Sequence, residues 1–344
     1  METMRLGKTN LLVTRTAFGA LPVQRRNMVD AVAILRRAYD GGIRFFDTAR
    51  AYSDSEEKLG RAFDSGMRKN IVIATKTGAQ NAAAFWDHLH TSLKLLGTEW
   101  VDIYQFHNPA FVPVPGGEDG LYEAALQAKR QGKIHHISIT NHRLGVARQA
   151  VESDLYDTLQ FPFSLLSGEP ELALLDLCRA HDVGFIAMKA LSGGLITDAT
   201  ATFAFIRQYD NVVPIWGIQH MRELEEFLAL AENPPAMDEA MRAAISADRA
   251  ALAGDFCRGC GYCLPCPAGI EIFTAARIYF LATRAPYQQF ITPDFQKQMA
   301  KVDQCVRCGA CKTRCPYGLD TPELLQRQYA LYKDFVAQHT GEAV

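Results

Sequence analysis

Eight of the nine cysteines fall after position 256, in two runs that each close on a proline. The first run is Cys257, Cys260, Cys263 and Cys266 before Pro267; the second is Cys305, Cys308, Cys311 and Cys315 before Pro316. Soft iron takes soft anionic ligands, and a single turning loop presents three thiolates while a fourth comes from elsewhere. The second run has the spacing of ligands to a cubane 4Fe-4S cluster, two residues, two residues, three residues and then Cys-Pro. The first run is one residue shorter before Cys266, which still lets that thiol leave its own loop. Because the fourth cysteine of such a run serves the other cluster, two clusters are expected. Cys257, Cys260, Cys263 and Cys315 hold one, and Cys305, Cys308, Cys311 and Cys266 hold the other. Four-cysteine zinc sites are the rival reading, but they are built from paired knuckles and do not need triplets closed by Cys-Pro. Disulfides rank below both. Arg258, Arg307, Lys312 and Arg314 interleave with the thiols, suited to offsetting cluster charge and making surface contacts, with docking of an acidic electron donor as the second use.

A second group of reactive residues lies far upstream, at the ends of short apolar runs. Asp47 lies at the end of the run at 45–48 and Tyr52 follows it, Lys76 follows 71–75, and His107 closes 102–107. These runs belong to a series of eight β-branched or aromatic stretches, completed by 15–20, 134–140, 158–161, 184–188 and 212–216. Segments of helical period separate them at 29–41, 55–66, 82–97, 121–132, 144–153, 171–181, 199–208 and 221–230. Strand and helix alternating eight times over ~250 residues predicts a closed (β/α)8 barrel. The rival, a doubly wound open sheet, would normally bind a dinucleotide through Gly-x-Gly-x-x-Gly, which occurs nowhere in the chain. A hairpin built from 4–6 and 11–14 is placed to plug the barrel floor. Barrel chemistry sits where strands end at the C-terminal face, so Asp47, Tyr52, Lys76 and His107 outrank other polar residues.

In identity, order and strand placement these four residues, with Phe45-Phe46-Asp47-Thr48-Ala49 and Tyr52, resemble the catalytic tetrad of the aldo-keto reductases. The resemblance covers about residues 4–232. It implies a nicotinamide cofactor, NADP or NAD, bound without a glycine-rich fingerprint, and a small carbonyl substrate (aldehyde, ketone or quinone) reduced by hydride transfer. Tyr52 would be the general acid, Lys76 would lower the phenol pKa, Asp47 would hold Lys76, and His107 would orient the carbonyl oxygen. Thr140 and Asn141 match the family's carboxamide-holding pair, and Gln160 its glutamine on the next strand. Ser192, Gly193 and Gly194 lie where such barrels often place phosphate. Met188 replaces the usual nicotinamide-stacking aromatic. After the eighth strand, Gln219, His220 and Arg222 stand where the family often has Lys-Ser and then Arg for a 2'-phosphate, and Phe227 where Asn is common. Cys260-Gly261-Tyr262-Cys263-Leu264-Pro265-Cys266-Pro267 extends the resemblance to a subgroup with a C-terminal ferredoxin-like 4Fe-4S dicluster region.

The expected organisation is a barrel over 1–235, a linker helix over 236–256 that reaches Gly254, and a mostly helical dicluster domain over 257–344 with helices at 272–282, 293–302 and 322–337. Clusters would supply much of the folding energy of so small a module. A formal charge of -2 with scattered cations gives no footprint for nucleic acid or an acidic membrane. No segment has the ~18 consecutive apolar residues of a spanning helix. Reduced thiols and clusters suit the cytoplasm. A ferredoxin or other redox protein is a candidate partner, and an exposed apolar face on the helical appendage would suit a homodimer. The barrel rim is expected to include Arg25, Arg26, Phe85, Trp86, Phe111, Phe163 and Leu166. Three functions compete: a hydride-transferring carbonyl reductase that carries clusters, an electron-transfer enzyme relaying single electrons into the barrel mouth, and a non-enzymatic redox or nucleotide sensor.

Overall fold

The computed structural model describes residues 1–63, 65–252, 256–284 and 287–340. The chain divides into two compact units, Met1–Ala190 with Thr200–Asp238, and Leu191–Ala199 with Glu239–Val344. Gly254, expected in the linker, lies outside the described residues.

The first unit is an eight-stranded, all-parallel closed barrel. β1 (Thr3–Arg5) and β2 (Leu12–Thr14) form an antiparallel hairpin ahead of it. The barrel strands are β3 (Ala17–Gly19), β4 (Phe45–Asp47), β5 (Val72–Thr77), β6 (Val101–His107), β7 (Ile134–Thr140), β8 (Thr158–Pro162), β9 (Gly184–Met188) and β10 (Val212–Gly217). They follow chain order around the barrel, and β10 pairs with both β9 and β3 to close it. Leu6 and Val13 of the hairpin join Phe45, Ala74, Ile103 and Val213 in one buried cluster, so the hairpin fills the barrel as expected.

The helices that follow the strands are α1 (Met28–Asp40), α2 (Ser55–Ala62), α3 (Ser65–Arg68), α4 (Ala82–Leu96), α5 (Leu121–Arg130), α6 (Leu144–Glu152), α7 (Glu169–Ala180), α8 (Ala199–Ile206) and α9 (Met221–Glu232). Local signals explain their starts: the Asn27 and Asn81 side chains accept the amides of Asp30 and Ala84 and cap α1 and α4. The single helix expected at 55–66 is broken, because Phe63 turns extended and packs its ring 4.7 Å from Phe46. Core burial of one aromatic outweighs continuation of an exposed helix.

In the second unit the helices are α10 (Glu239–Ala251), α11 (Ile272–Ala275), α12 (Ile278–Arg284), α13 (Pro293–Met299), α14 (Ala310–Thr313) and α15 (Thr321–Thr340). Its described residues contain helices and turns and no strand. The core includes Ile272, Ile278, Val302, Leu325 and Tyr332, with Cys263 and Cys311 on its edge. The helix expected at 272–282 is interrupted at Ala276 and Arg277. No helix among the described residues is long and apolar enough to cross a membrane.

Candidate active site and cluster-binding module

Strand register brings the upstream residues together. Asp47 of β4 pairs with Ala74 of β5, Lys76 with Gln105 of β6, His107 with Thr140 of β7, and Thr140 with Gln160 of β8. Alternation along a strand sends Gln105 and His107 to the same face. The Lys76 ammonium donates to Asp47 Oδ2 at 2.5 Å and to the Thr48 carbonyl at 2.7 Å, while Gln105 Nε2 donates to Asp47 Oδ1 at 3.0 Å. The Gln160 side chain also acts on Asp47, in the direction that lowers its pKa. Both members of the ion pair are buried. Burial favours neutral forms, pushing Asp47 up and Lys76 down, and each opposes the other's shift through the short contact.

Tyr52 stands in the turn after β4. That turn hangs from β5 by the amides of Thr48 and Arg50, which donate to Ala74 and Lys76 carbonyls at 2.8 and 3.0 Å. Ser55, at the start of α2, donates to the Ala20 carbonyl at 2.9 Å, and fully buried Glu56 binds Arg50 and accepts from Thr75 Oγ1 at 2.6 Å. Lys76 Nζ lies 5.0 Å from the centre of the Tyr52 ring, and His107 meets that ring edge-on at 5.9 Å between centroids. The phenol differs from expectation. Its pKa is raised, first by burial and then by the Asp47 charge, because the ammonium sits over the ring and is already bonded to Asp47. His107 is lowered to about 3 by burial and by Lys76, so the imidazole is neutral at pH 7.

Around this core, Thr140 Oγ1 donates to Met188 Sδ at 3.9 Å, and Met188 packs on the barrel interior. Gln160 is buried and its Oε1 has no partner among the protein atoms. An unmatched buried acceptor costs about 1–3 kcal/mol, and a ligand amide would satisfy it. Asn141 is already engaged, donating to the Pro109 carbonyl at 2.8 Å and accepting the Arg143 amide at 2.8 Å. Glu223 accepts the amides of Gln219 and His220 at 2.7 and 2.9 Å, and Arg25 reaches Gln219 Oε1 at 3.4 Å; Arg222 is exposed. Phe227, where the family often has Asn, stacks on Trp216 at 4.4 Å. Of the residues expected at the rim, Phe85 and Phe163 are core residues, fully buried against other aromatics. Ser192, Gly193 and Gly194, expected beside the phosphate, belong by their contacts to the second unit. Gln105 and Glu56 join the site beyond the residues expected from the sequence. The first had a signal, two residues before His107 on one strand; Glu56, an acid in a polar helical turn, had none.

The cysteine runs lie on turns within the second unit. Cys305 ends a tight turn after α13, Cys311 sits in α14 and Cys315 follows it. Cys257 feels the charges of Cys260 and Cys315, Cys263 those of Cys257, Cys260 and Cys311, and Cys311 those of Cys305 and Cys308. Burial raises Cys263 to about 12, so its thiolate form calls for a cationic partner. A small pocket of about 20 Å³ is lined by Cys266, Cys305, Cys308 and Cys311, with Cys263 also on its wall. Here two cysteines of the first run, Cys263 and Cys266, stand with three of the second. Among the described residues no three His, Cys, Asp or Glu side chains are placed around a single metal ion. Three of the four basic neighbours are engaged: Arg258 stacks on Phe256 and Tyr317, Lys312 pairs with Asp320 at 2.6 Å, and Arg314 donates to the Pro265 carbonyl at 3.1 Å.

A parallel eight-stranded barrel with polar residues converging at its strand ends is a scaffold that serves many chemistries, and comparison with known proteins defines it further. The aldo/keto reductase family model matches residues 15–210, more than half of the chain, and a 4Fe-4S dicluster domain model matches residues 256–320. The chain belongs to the aldo/keto reductase family, with a 4Fe-4S dicluster domain after the barrel. Relatives include the aldo-keto reductase YhdN of Bacillus subtilis, 27% identical over 57% of this chain and 61% of that one, so the match spans less than two thirds of that relative. L-galactose dehydrogenase of Arabidopsis thaliana is 29% identical over 58% of this chain and 68% of its own. Among solved structures, a Klebsiella pneumoniae aldo-keto reductase in complex with NADPH has TM-score 0.62 at 22% identity, covering 72% of this chain and 94% of its own, a likeness of fold.

Proposed function

We propose that this protein reduces a small carbonyl compound, an aldehyde, ketone or quinone, with a nicotinamide cofactor, and that Tyr52 is the general acid. The observation that carries this reading is the buried Asp47–Lys76 pair at 2.5 Å, with Lys76 Nζ 5.0 Å over the Tyr52 ring and neutral His107 on the ring's edge. When bound, a reduced nicotinamide supplies the hydride to the carbonyl carbon. The Tyr52 hydroxyl gives its proton to the oxygen that becomes alkoxide, completing the alcohol. His107, uncharged at neutral pH, is able to donate to the same oxygen as its charge develops. Asp47, fixed by Gln105, keeps Lys76 in place. A phenol whose pKa is raised holds its proton until a stronger base forms, which favours reduction over alcohol oxidation. The unpaired Gln160 Oε1 suits a carboxamide N–H, with Thr140, Asn141 and Met188 nearby in the register. The cofactor is NADP or NAD; the Glu223 carboxylate on the amides of Gln219 and His220 weighs against a 2'-phosphate there. Ser192, Gly193 and Gly194 remain the expected phosphate contacts, two clusters fill the crossed cysteine sets, and a reducing cytoplasm preserves them.

The test is NAD(P)H oxidation with a panel of aromatic aldehydes and quinones. Tyr52→Phe should lower turnover about 10²- to 10⁴-fold, the usual share of a positioned acid, while cofactor quenching of tryptophan fluorescence persists. Unchanged turnover in this variant would sink the assignment. A second reading, single-electron relay through the clusters, is favoured by the exposed Cys308 thiol, which puts one ligand at the surface. It requires dye-linked electron flow that survives Tyr52→Phe and disappears in Cys308→Ser.

A further inference from the structure

Arg277 stands in the break between α11 and α12, and its side chain is 9% exposed. Nε donates to the Phe273 carbonyl at 2.9 Å and Nη1 to the Gly193 carbonyl at 2.7 Å. The face of the guanidinium lies against Gly259, where a Cβ would come within 2.6 Å of Cζ and 2.8 Å of both terminal nitrogens. A Cβ on Gly193 would come within 2.8 Å of Nη1. Two glycines from distant parts of the chain therefore clear the space for one buried cation. Gly259 is flanked by the turn that carries Cys257 and Cys260, and its amide points at Cys257 Sγ at 3.4 Å. The guanidinium is thus wedged between a ligand turn and the backbone of Leu191–Ala199, both parts of the second unit.

That segment depends on this unit for its conformation. Arg284 donates to the Leu195 carbonyl at 2.9 Å while pairing with Asp248 at 2.7 Å. Ser192 has a positive φ of 49°, a backbone that costs a residue with a Cβ and needs support from outside itself, while Gly193 and Gly194 take 67° and 91° without that cost. Its internal bonds include the amides of Gly194 and Ile196 on the Leu191 carbonyl at 2.9 and 3.2 Å.

We infer that Arg277 couples the charge of the cluster held by Cys257, Cys260 and Cys263 to the conformation of Leu191–Ala199. When a low-potential one-electron donor reduces that cluster, one electron is added to the iron-sulfur core and no bond to protein is made or broken. The pull on the guanidinium rises, and Gly193 loses strength in its competition for Nη1, since a buried cation responds to one unit of charge far more than a hydrated one. Linkage makes the effect mutual: whatever fixes the segment shifts the cluster's reduction potential. A planar guanidinium suits this task because it serves two carbonyls and stacks on a peptide at once, which an ammonium cannot do. The inference rests on the cluster assignment and not on the role of Tyr52.

The experiment is hydrogen exchange of the full-length, anaerobically prepared protein, oxidised and reduced with dithionite, read at the amides of Gly194 and Ile196. EPR-monitored redox titration accompanies it. Wild type should exchange faster on reduction by roughly fivefold or more, the lower end of ordinary coupling. Arg277→Gln should abolish that redox dependence and make the midpoint potential of one cluster more negative. Arg277→Lys keeps the charge, so it should hold the potential close to wild type yet lose most of the exchange response; it decides the matter if the Gln variant loads poorly with iron. Redox-independent exchange in wild type, or an undiminished response in both variants, overturns the coupling. Failure to bind any cluster would overturn the cluster assignment instead, and iron content with visible absorbance tells these failures apart.

Discussion

The barrel and the cluster module hold their reactive groups by opposite means. In the barrel, Asp47, Lys76, Gln105 and Gln160 come from four strands, β4, β5, β6 and β8, and every strand is fixed by its neighbours' ladders before any side chain is placed. Removing one polar group leaves the scaffold standing. In the second unit, seven of the eight cysteines of the two runs lie on turns or caps outside the six helices, four of those helices have four to seven residues, and no strand occurs among the described residues. Short helices are marginal in water, so here the ligands make the scaffold rather than decorate it. One site needs the fold, and the other is needed by it.

Iron removal separates the two most sharply. Anaerobic chelation should collapse the second unit, seen as loss of helical circular dichroism together with visible absorbance, because metal-binding energy of about 10 kcal/mol or more can be the folding energy of such modules. Emission should change little, since Trp86, Trp100 and Trp216 all belong to the barrel unit. Equal loss of both signals would show that the units fold as one. A smaller effect is expected from Lys76→Met, which strands the Asp47 carboxylate in the core. Breaking a buried pair from one side costs about 3–5 kcal/mol, read as a lower urea midpoint of tryptophan emission, and Asp47→Leu added to it should recover a large part. The smallest effect is acid sensitivity from His107. Its folded pKa of about 3 lies below the ordinary 6.5, so the unfolded chain binds the extra proton between these values. Barrel stability should therefore fall as pH drops from 6.5 towards 3, and His107→Gln should flatten that slope.

Legibility followed the same divide. A 4Fe-4S dicluster module was legible from spacing, because ligand geometry is local and a loop of three thiols reads directly off the chain, and the dicluster match over residues 256–320 agrees with it. The eight strands were legible because fully buried parallel strands are continuous apolar runs. What escaped was non-local. Glu56 looks like a solvated acid in a polar helix and is instead fully buried beneath Arg50 and Thr75. Phe85 and Phe163 look like rim aromatics and are core.

The sequence by itself determined the barrel, the order of Asp47, Tyr52, Lys76 and His107 along it, and the chemistry of the two cysteine runs, since periodicity and ligand spacing are properties of neighbours in the chain. Tertiary structure alone decided the environment of each group. It raised the Tyr52 phenol where proximity to a lysine suggested the reverse, because burial depends on every element around the ring. It also gave Leu191–Ala199 to the second unit through Arg277 and Arg284, because a buried cation settles where distant backbone carbonyls converge, and no spacing rule contains that information.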